Sequence, residues 1–163
     1  MSVREIASPP QILAGRNDGG SGAGNDRERK ALKMAKRFKD WLLQAESDLE
    51  HAKKSLDMKD YNWACFASQQ SAEKALKALY DFLGGEGWGH MVIKLLKELP
   101  ADKITVKEEL LQKAVYLDKL YIPTRYPNGV DSGASADYYT DKEAQEAIRY
   151  AGDILSFVKT QIR

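Results

Sequence analysis

Tyr121, Pro123, Arg125, Tyr126 and Pro127, with Tyr138-Tyr139 further on, form the stretch of this chain best suited to chemistry. Arginine presents a planar fork of donors that matches a phosphate, and tyrosine rings offer faces on which bases stack. The two prolines restrict the backbone on either side of Arg125 and would pre-position it. A structural reading carries equal weight at this point. In it Arg125 pairs with Asp118 or Asp137 while the tyrosines fill gaps against the rest of the protein.

A second polar group is Gln69, Gln70, Glu73, Lys74 and Lys77. Glu73 and Lys77 stand four apart in the favourable order, so the simplest reading is an exposed helix pair worth a few tenths of a kcal/mol. The sharper reading has some of these groups lining a cleft beside the tyrosine-rich loop. His90 follows the glycine-rich run Gly84-Gly85-Glu86-Gly87-Trp88-Gly89 at the start of an expected helix, where an anion could sit. That run lacks the Gly-Lys-Ser/Thr ending of a phosphate loop, so capping and a connection are the better reading. The other histidine, His51, lies three residues after Asp48, as in a surface pair. Neither histidine has a second ligand at metal-binding spacing, and no metal or cofactor is expected. Cys65, flanked by Ala64 and Phe66, reads as a buried structural thiol with no charge nearby to activate it.

The elements that must carry these groups are helices. Trp41, Leu42, Ala45, Leu49, Ala52 and Leu56 recur at helical steps and predict a helix over about 35–57. Asp60 is placed to cap a second helix, over about 61–83, whose central face is small: Ala64, Ser68, Ser71, Ala72, Ala75 and Ala78. Gly84-Gly85 would end it. A short third helix is expected over about 89–99, stopped by Pro100, and a fourth from near Thr105. Residues 122–139 show no helical period, and a loop of that length tends to be functional. Thr140 or Asp141 then caps a last helix bearing Ala144, Ala147, Ile148, Ala151, Ile154, Leu155, Val158 and Ile162. The expected fold is all-α: an up-and-down four-helix bundle with one additional short helix and a long loop before the last helix.

Residues 1–33 differ from the rest of the chain. Gly15 to Asn25 holds five of the twelve glycines, so 1–33 reads as a flexible arm or upstream segment, with the bundle domain over 34–163 starting at Met34. The 163 residues carry 25 Lys plus Arg against 24 Asp plus Glu, a net charge of +1, which removes the overall positive field of a strongly basic nucleic-acid binder. One cysteine excludes an internal disulfide and a multi-cysteine zinc site. No apolar run approaches the length of a membrane helix, so a cytoplasmic protein without membrane attachment is expected.

Asp40-Trp41-Leu42 with Ala45 and Asp48-Leu49, followed by the block Tyr61 to Leu79 (YNWACFASQQSAEKALKAL), resembles the HEPN domain, the higher eukaryotes and prokaryotes nucleotide-binding family. His90 and the Arg125-Tyr126-Pro127 segment fit the same resemblance, which spans about 35–163. It implies a helical bundle that forms homodimers, and small prokaryotic members are often encoded beside a minimal nucleotidyltransferase as toxin–antitoxin-like pairs. Many HEPN domains are metal-independent RNases with an Arg-x4–6-His motif. Arg125 would be the arginine, but Val130, Asp131 and Ser132 stand where the histidine belongs, and no histidine follows His90. The resemblance therefore implies a nucleotide- or RNA-binding module rather than an enzyme, with Arg125, Tyr126, Tyr121, Lys74, His90 and Tyr138 as the candidate binding residues. One alternative is an endoribonuclease with a variant site, in which His90 or a tyrosine replaces the absent histidine. Another is a dimeric helical scaffold without ligand.

Overall fold

Residues 26–37 are almost all strong helix formers, with Asp26 in the first turn where the helix dipole favours an acid. In a computed structural model, which describes residues 23–163, they extend the first helix to α1 (Ala23–Asp57). Apolar periodicity places that start about a dozen residues later because residues 24–33 are exposed all round and carry no apolar stripe to read. Residues 1–22 of the expected arm lie outside the described residues. The expected domain start at Met34 falls inside α1, whose first buried described side chain is Phe38.

Four further helices come after it: α2 (Tyr61–Phe82), α3 (Val92–Lys97), α4 (Glu108–Asp118) and α5 (Asp141–Gln161). The fold is all-α, with no strand among the described residues. Asp60 stands at the N-cap of α2 but makes no side-chain cap hydrogen bond. At its other end, Gly84 N–H donates to Asp81 O (3.2 Å) and Gly85 N–H to Tyr80 O (2.9 Å), the paired bonds of a Schellman stop. α5 begins with a capping box in which Glu143 N–H donates to Thr140 Oγ1 (3.3 Å) and Thr140 N–H to Glu143 Oε2 (2.9 Å).

α2 is the hub. It packs along α1, lies against α5, and touches α3 and α4. The α1–α2 seam is antiparallel. Phe38 meets Phe82 edge-on at 5.3 Å near one end, and Ser71 Oγ donates to Ala45 O (2.7 Å) further along. Ala64, Ala72, Ala75 and Ala78 are fully buried, and their small side chains let the neighbouring backbones approach closely. Larger groups fill the space around them: Leu76, Leu79, Leu95, Leu96, Leu117 and Ile154 are all buried, each contributing about 1.5–3 kcal/mol of transfer free energy. Cys65 sits in the same layer, and burial pushes its thiol up to about 12, so it is unreactive.

α3 and the segment after α4 also differ from the periodicity. α3 is six residues, not eleven, because Gly89 takes φ +89°, a conformation that stops a helix from forming through it, and Met91 becomes the N-cap. His90 therefore precedes α3 instead of lying on it. The segment after α4 contains two 3-10 turns, Pro127–Gly129 and Ser135–Tyr138. No described helix is long and apolar enough to cross a membrane.

Candidate functional site

Arg125 is held from below and behind. Asn62, in the first turn of α2, is buried and its Nδ2 donates to Thr124 O (3.0 Å). Thr124 is itself fully buried, with Oγ1 donating to Leu120 O (2.7 Å). These bonds fix the backbone one residue before the arginine. Gly129 closes the loop on itself: a Cβ there would lie 2.8 Å from Pro123 Cα, so only glycine permits that approach.

The guanidinium lies in an aromatic cradle. Its carbon is 4.0 Å from the centre of the Phe66 ring, 5.1 Å from Tyr121 and 5.2 Å from Tyr126. Nε and Nη2 both donate to Tyr121 O, at 3.1 and 2.6 Å. The Nη1 donors and one Nη2 hydrogen are left over. Among the described residues no carboxylate lies within ion-pair distance of this group. The expected acidic partners are engaged elsewhere. Asp118 accepts from Val92 N–H (2.7 Å) and Ile93 N–H (2.9 Å), and Asp137 accepts from Ala134 N–H (3.2 Å). Asp118 thereby takes the α3 N–H groups that an anion would otherwise use; burial pushes its carboxyl above the usual range although those two bonds pull it down.

His90 joins the cradle through Tyr121. The two rings stack at 5.2 Å and 18°, and His90 Nδ1 meets Glu73 Oε1 at 3.0 Å. A carboxylate only accepts, so Nδ1 is the protonated nitrogen and Nε2 is left as the free ring atom, on a side chain 57% exposed. Glu73 is not the exposed partner that its spacing suggests: its side chain is 4% exposed and also receives Lys77 Nζ (2.9 Å) and Gln70 Nε2 (3.1 Å). Gln69, fully buried, donates to His90 O (2.9 Å) and receives Gln70 Nε2 (2.7 Å). The α2 side chains thus fix both the backbone and the ring of His90.

Of the six candidate binding residues, the structure brings Arg125, Tyr121, Tyr126 and His90 together. Lys74 is held by Asp48 of α1 at 2.5 Å, and Tyr138 donates to Ser132 O at the far turn of the loop. Phe66, Glu73 and Asn62 complete the site. Glu73 and Gln70 were visible as a polar group on a helix; Phe66 reads as an ordinary core residue, and only its contact with a residue 59 positions later reveals its role.

The HEPN domain family model matches residues 38–161 of the chain. This protein belongs to the HEPN family. A HEPN domain protein of Thermotoga maritima is similar to it in structure, with TM-score 0.61 and 38% identity, covering 74% of this chain and 95% of that one. An archaeal HEPN homologue gives TM-score 0.65 at 46% identity, over 77% of this chain and 98% of the other. A Thermus thermophilus protein gives TM-score 0.75 at 50% identity, again over 77% and 98%. A candidate toxin of Methanocaldococcus jannaschii is 31% identical over 136 residues, which are 78% of this chain and 88% of that protein. The HEPN span contains every member of the aromatic cradle and leaves Ala23–Arg37 of α1 outside it.

Proposed function

We propose that this HEPN protein binds a nucleotide or RNA phosphate at Arg125, with Tyr121, Tyr126 and His90 completing the site. The observation that carries this reading is the Arg125 guanidinium itself, cradled by three aromatic rings with donors left over and no carboxylate paired to it among the described residues. An arginine that served only to hold the loop would have its charge neutralised by a carboxylate. One held by aromatic faces and a single carbonyl keeps its charge for an anion. The relation to a candidate toxin supports a toxin-like role; a minimal nucleotidyltransferase as the antitoxin-type partner and a homodimer as the working form belong to the same proposal.

The test is binding of AMP, ATP and labelled oligouridylate to wild type and Arg125→Ala. The reading requires a loss above about tenfold with the helical content retained. A destabilised variant with unaltered affinity would reject it. Light scattering near twice 18.3 kDa checks the dimer, and copurification with a minimal nucleotidyltransferase checks the partner.

A second reading, metal-independent RNA cleavage, is favoured by the Glu73–His90 pair. With Nδ1 committed to Glu73, Nε2 can take the 2′-hydroxyl proton as that oxygen attacks phosphorus, the 5′-oxygen leaving with a proton from water. Cleavage in EDTA that is lost on His90→Ala supports it. Binding without turnover rejects it.

A further inference from the structure

The α1 extension, which lies outside the HEPN span, is one wall of a groove of about 570 Å³. Lys30, Lys33 and Arg37 line it from α1, Lys77 from α2, and Trp88 and His90 from the α2–α3 connection. We infer that this groove is a second segment of the ligand path and that the ligand is single-stranded RNA several nucleotides long, not a mononucleotide. The inference rests on the proposed phosphate-binding role of Arg125 and names the ligand class for it.

Four observations carry it. First, the charges are available. Lys30, Lys33 and Arg37 make no ion pair within 4.0 Å among the described residues; Lys77 is held by Glu73 (2.9 Å), which leaves three unpaired cations against two carboxylates, Asp81 and Glu86. Another groove, about 370 Å³ between α4 and α5, differs: its Lys113 already contacts Asp153 at 2.8 Å and its Arg149 contacts Glu146 at 3.5 Å. Second, Trp88 is 72% exposed, an indole face free to stack on a base, and Trp41 lines the same groove beneath Lys77, whose Nζ lies 5.6 Å from its ring. Third, the groove joins the Arg125 site at His90, which lines the groove and stacks on Tyr121. Fourth, Lys30 and Arg37 stand about 10 Å apart along the helix axis, a row of cations longer than one phosphate needs.

Positive charge with exposed aromatic faces is the arrangement that tracks a single strand without reading its sequence. A duplex would not offer its bases to Trp88. A short peptide would not need the cation row.

The test uses the full chain and labelled oligouridylates of about 4, 8 and 16 nucleotides, with AMP as the short control. Wild type, Lys30→Ala/Lys33→Ala/Arg37→Ala, Trp88→Ala and Arg125→Ala are compared, with circular dichroism checking that each retains its helices. The proposal requires affinity that rises with length in wild type. The triple variant should lose that rise, weaken the longest probe more than tenfold near 0.1 M salt, and flatten the salt dependence by about 2 in log–log slope. Trp88→Ala should weaken the longer probes and leave AMP unchanged.

If Arg125→Ala weakens every probe while the triple variant matches wild type, the groove is rejected and the Arg125 reading stands. If AMP and all oligonucleotides fail to bind wild type, both are rejected. If Trp88→Ala splits a dimer without changing RNA affinity, the groove seats a second copy of the chain, which also overturns the proposal.

Discussion

The α1–α2 seam and the Arg125 cradle lie on the same helix and are built in opposite ways. The seam uses alanines and serines so that two backbones come close, and its energy is spread over many small contacts, with Ser71 bonded to Ala45 O as one of its few polar links. The cradle uses large rings and a cation, and depends on a few bonds from residues far apart in sequence, above all Asn62 to Thr124 O. α2 carries both because its small face turns to α1 while Asn62, Phe66, Gln69 and Glu73 meet the connections that flank α3 and α4. On the proposed function, stability resides in one region and ligand chemistry in the other, so substitutions should separate the two.

The largest effect belongs to the seam. Ala75 is fully buried, and Ala75→Phe should overpack it by about 1–3 kcal/mol, lowering the melting temperature by several degrees. An unchanged transition would break the comparison at its first term. Arg125→Ala comes next, on the other side: more than tenfold weaker nucleotide or RNA binding, about 1.4 kcal/mol, with melting nearly unaltered. Equilibrium titration and calorimetry on the same preparation read both.

Asn62→Ala sharpens the comparison because it loosens the anchor of the cradle without touching the guanidinium. It leaves Thr124 O without its buried donor, so stability should fall by about 1 kcal/mol and affinity should fall less than in Arg125→Ala. An affinity loss equal to that of Arg125→Ala would make Asn62 more than a loop anchor. Arg125→Lys should recover part of the binding, since lysine keeps the charge and gives up the planar fork resting on Phe66. Full recovery would reduce the cradle to a point charge. The smallest effect on stability is expected from a chain starting at Met34. Residues 24–33 bury nothing, so thermal unfolding should match the full chain, while the preference for longer RNA should shrink as Lys30 and Lys33 are removed.

Much of the fold was legible because helices bury a stripe and a stripe has a period. Trp41, Leu42, Ala45 and Leu49 mark α1, and the small face of α2 is visible as Ala and Ser at helical steps. Where burial does not set the structure, period fails. α1 runs back to Ala23 on propensity alone, and α3 starts late because one glycine takes φ +89°. The proposed site divides in the same way. Arg125, Tyr121 and Tyr126 were legible as a cluster of suitable types, close in sequence. Phe66 and Asn62 were not, because an aromatic and an amide on a helix signal nothing until a segment some 60 residues on folds over them. Lys74 differs for a related reason: its charge was visible in the sequence, but its pairing with Asp48 across the seam was not.

Cys65 makes the protein its own clock. As the sole thiol in the chain, fully buried in α2 and shifted far from the thiolate, it can be labelled only when α2 separates from its neighbours. The rate of alkylation in native buffer therefore counts openings of the hub, with no introduced probe. A bound ligand that clamps α2 through Phe66 and Glu73 should slow that count, and one that only grazes the surface should leave it unchanged.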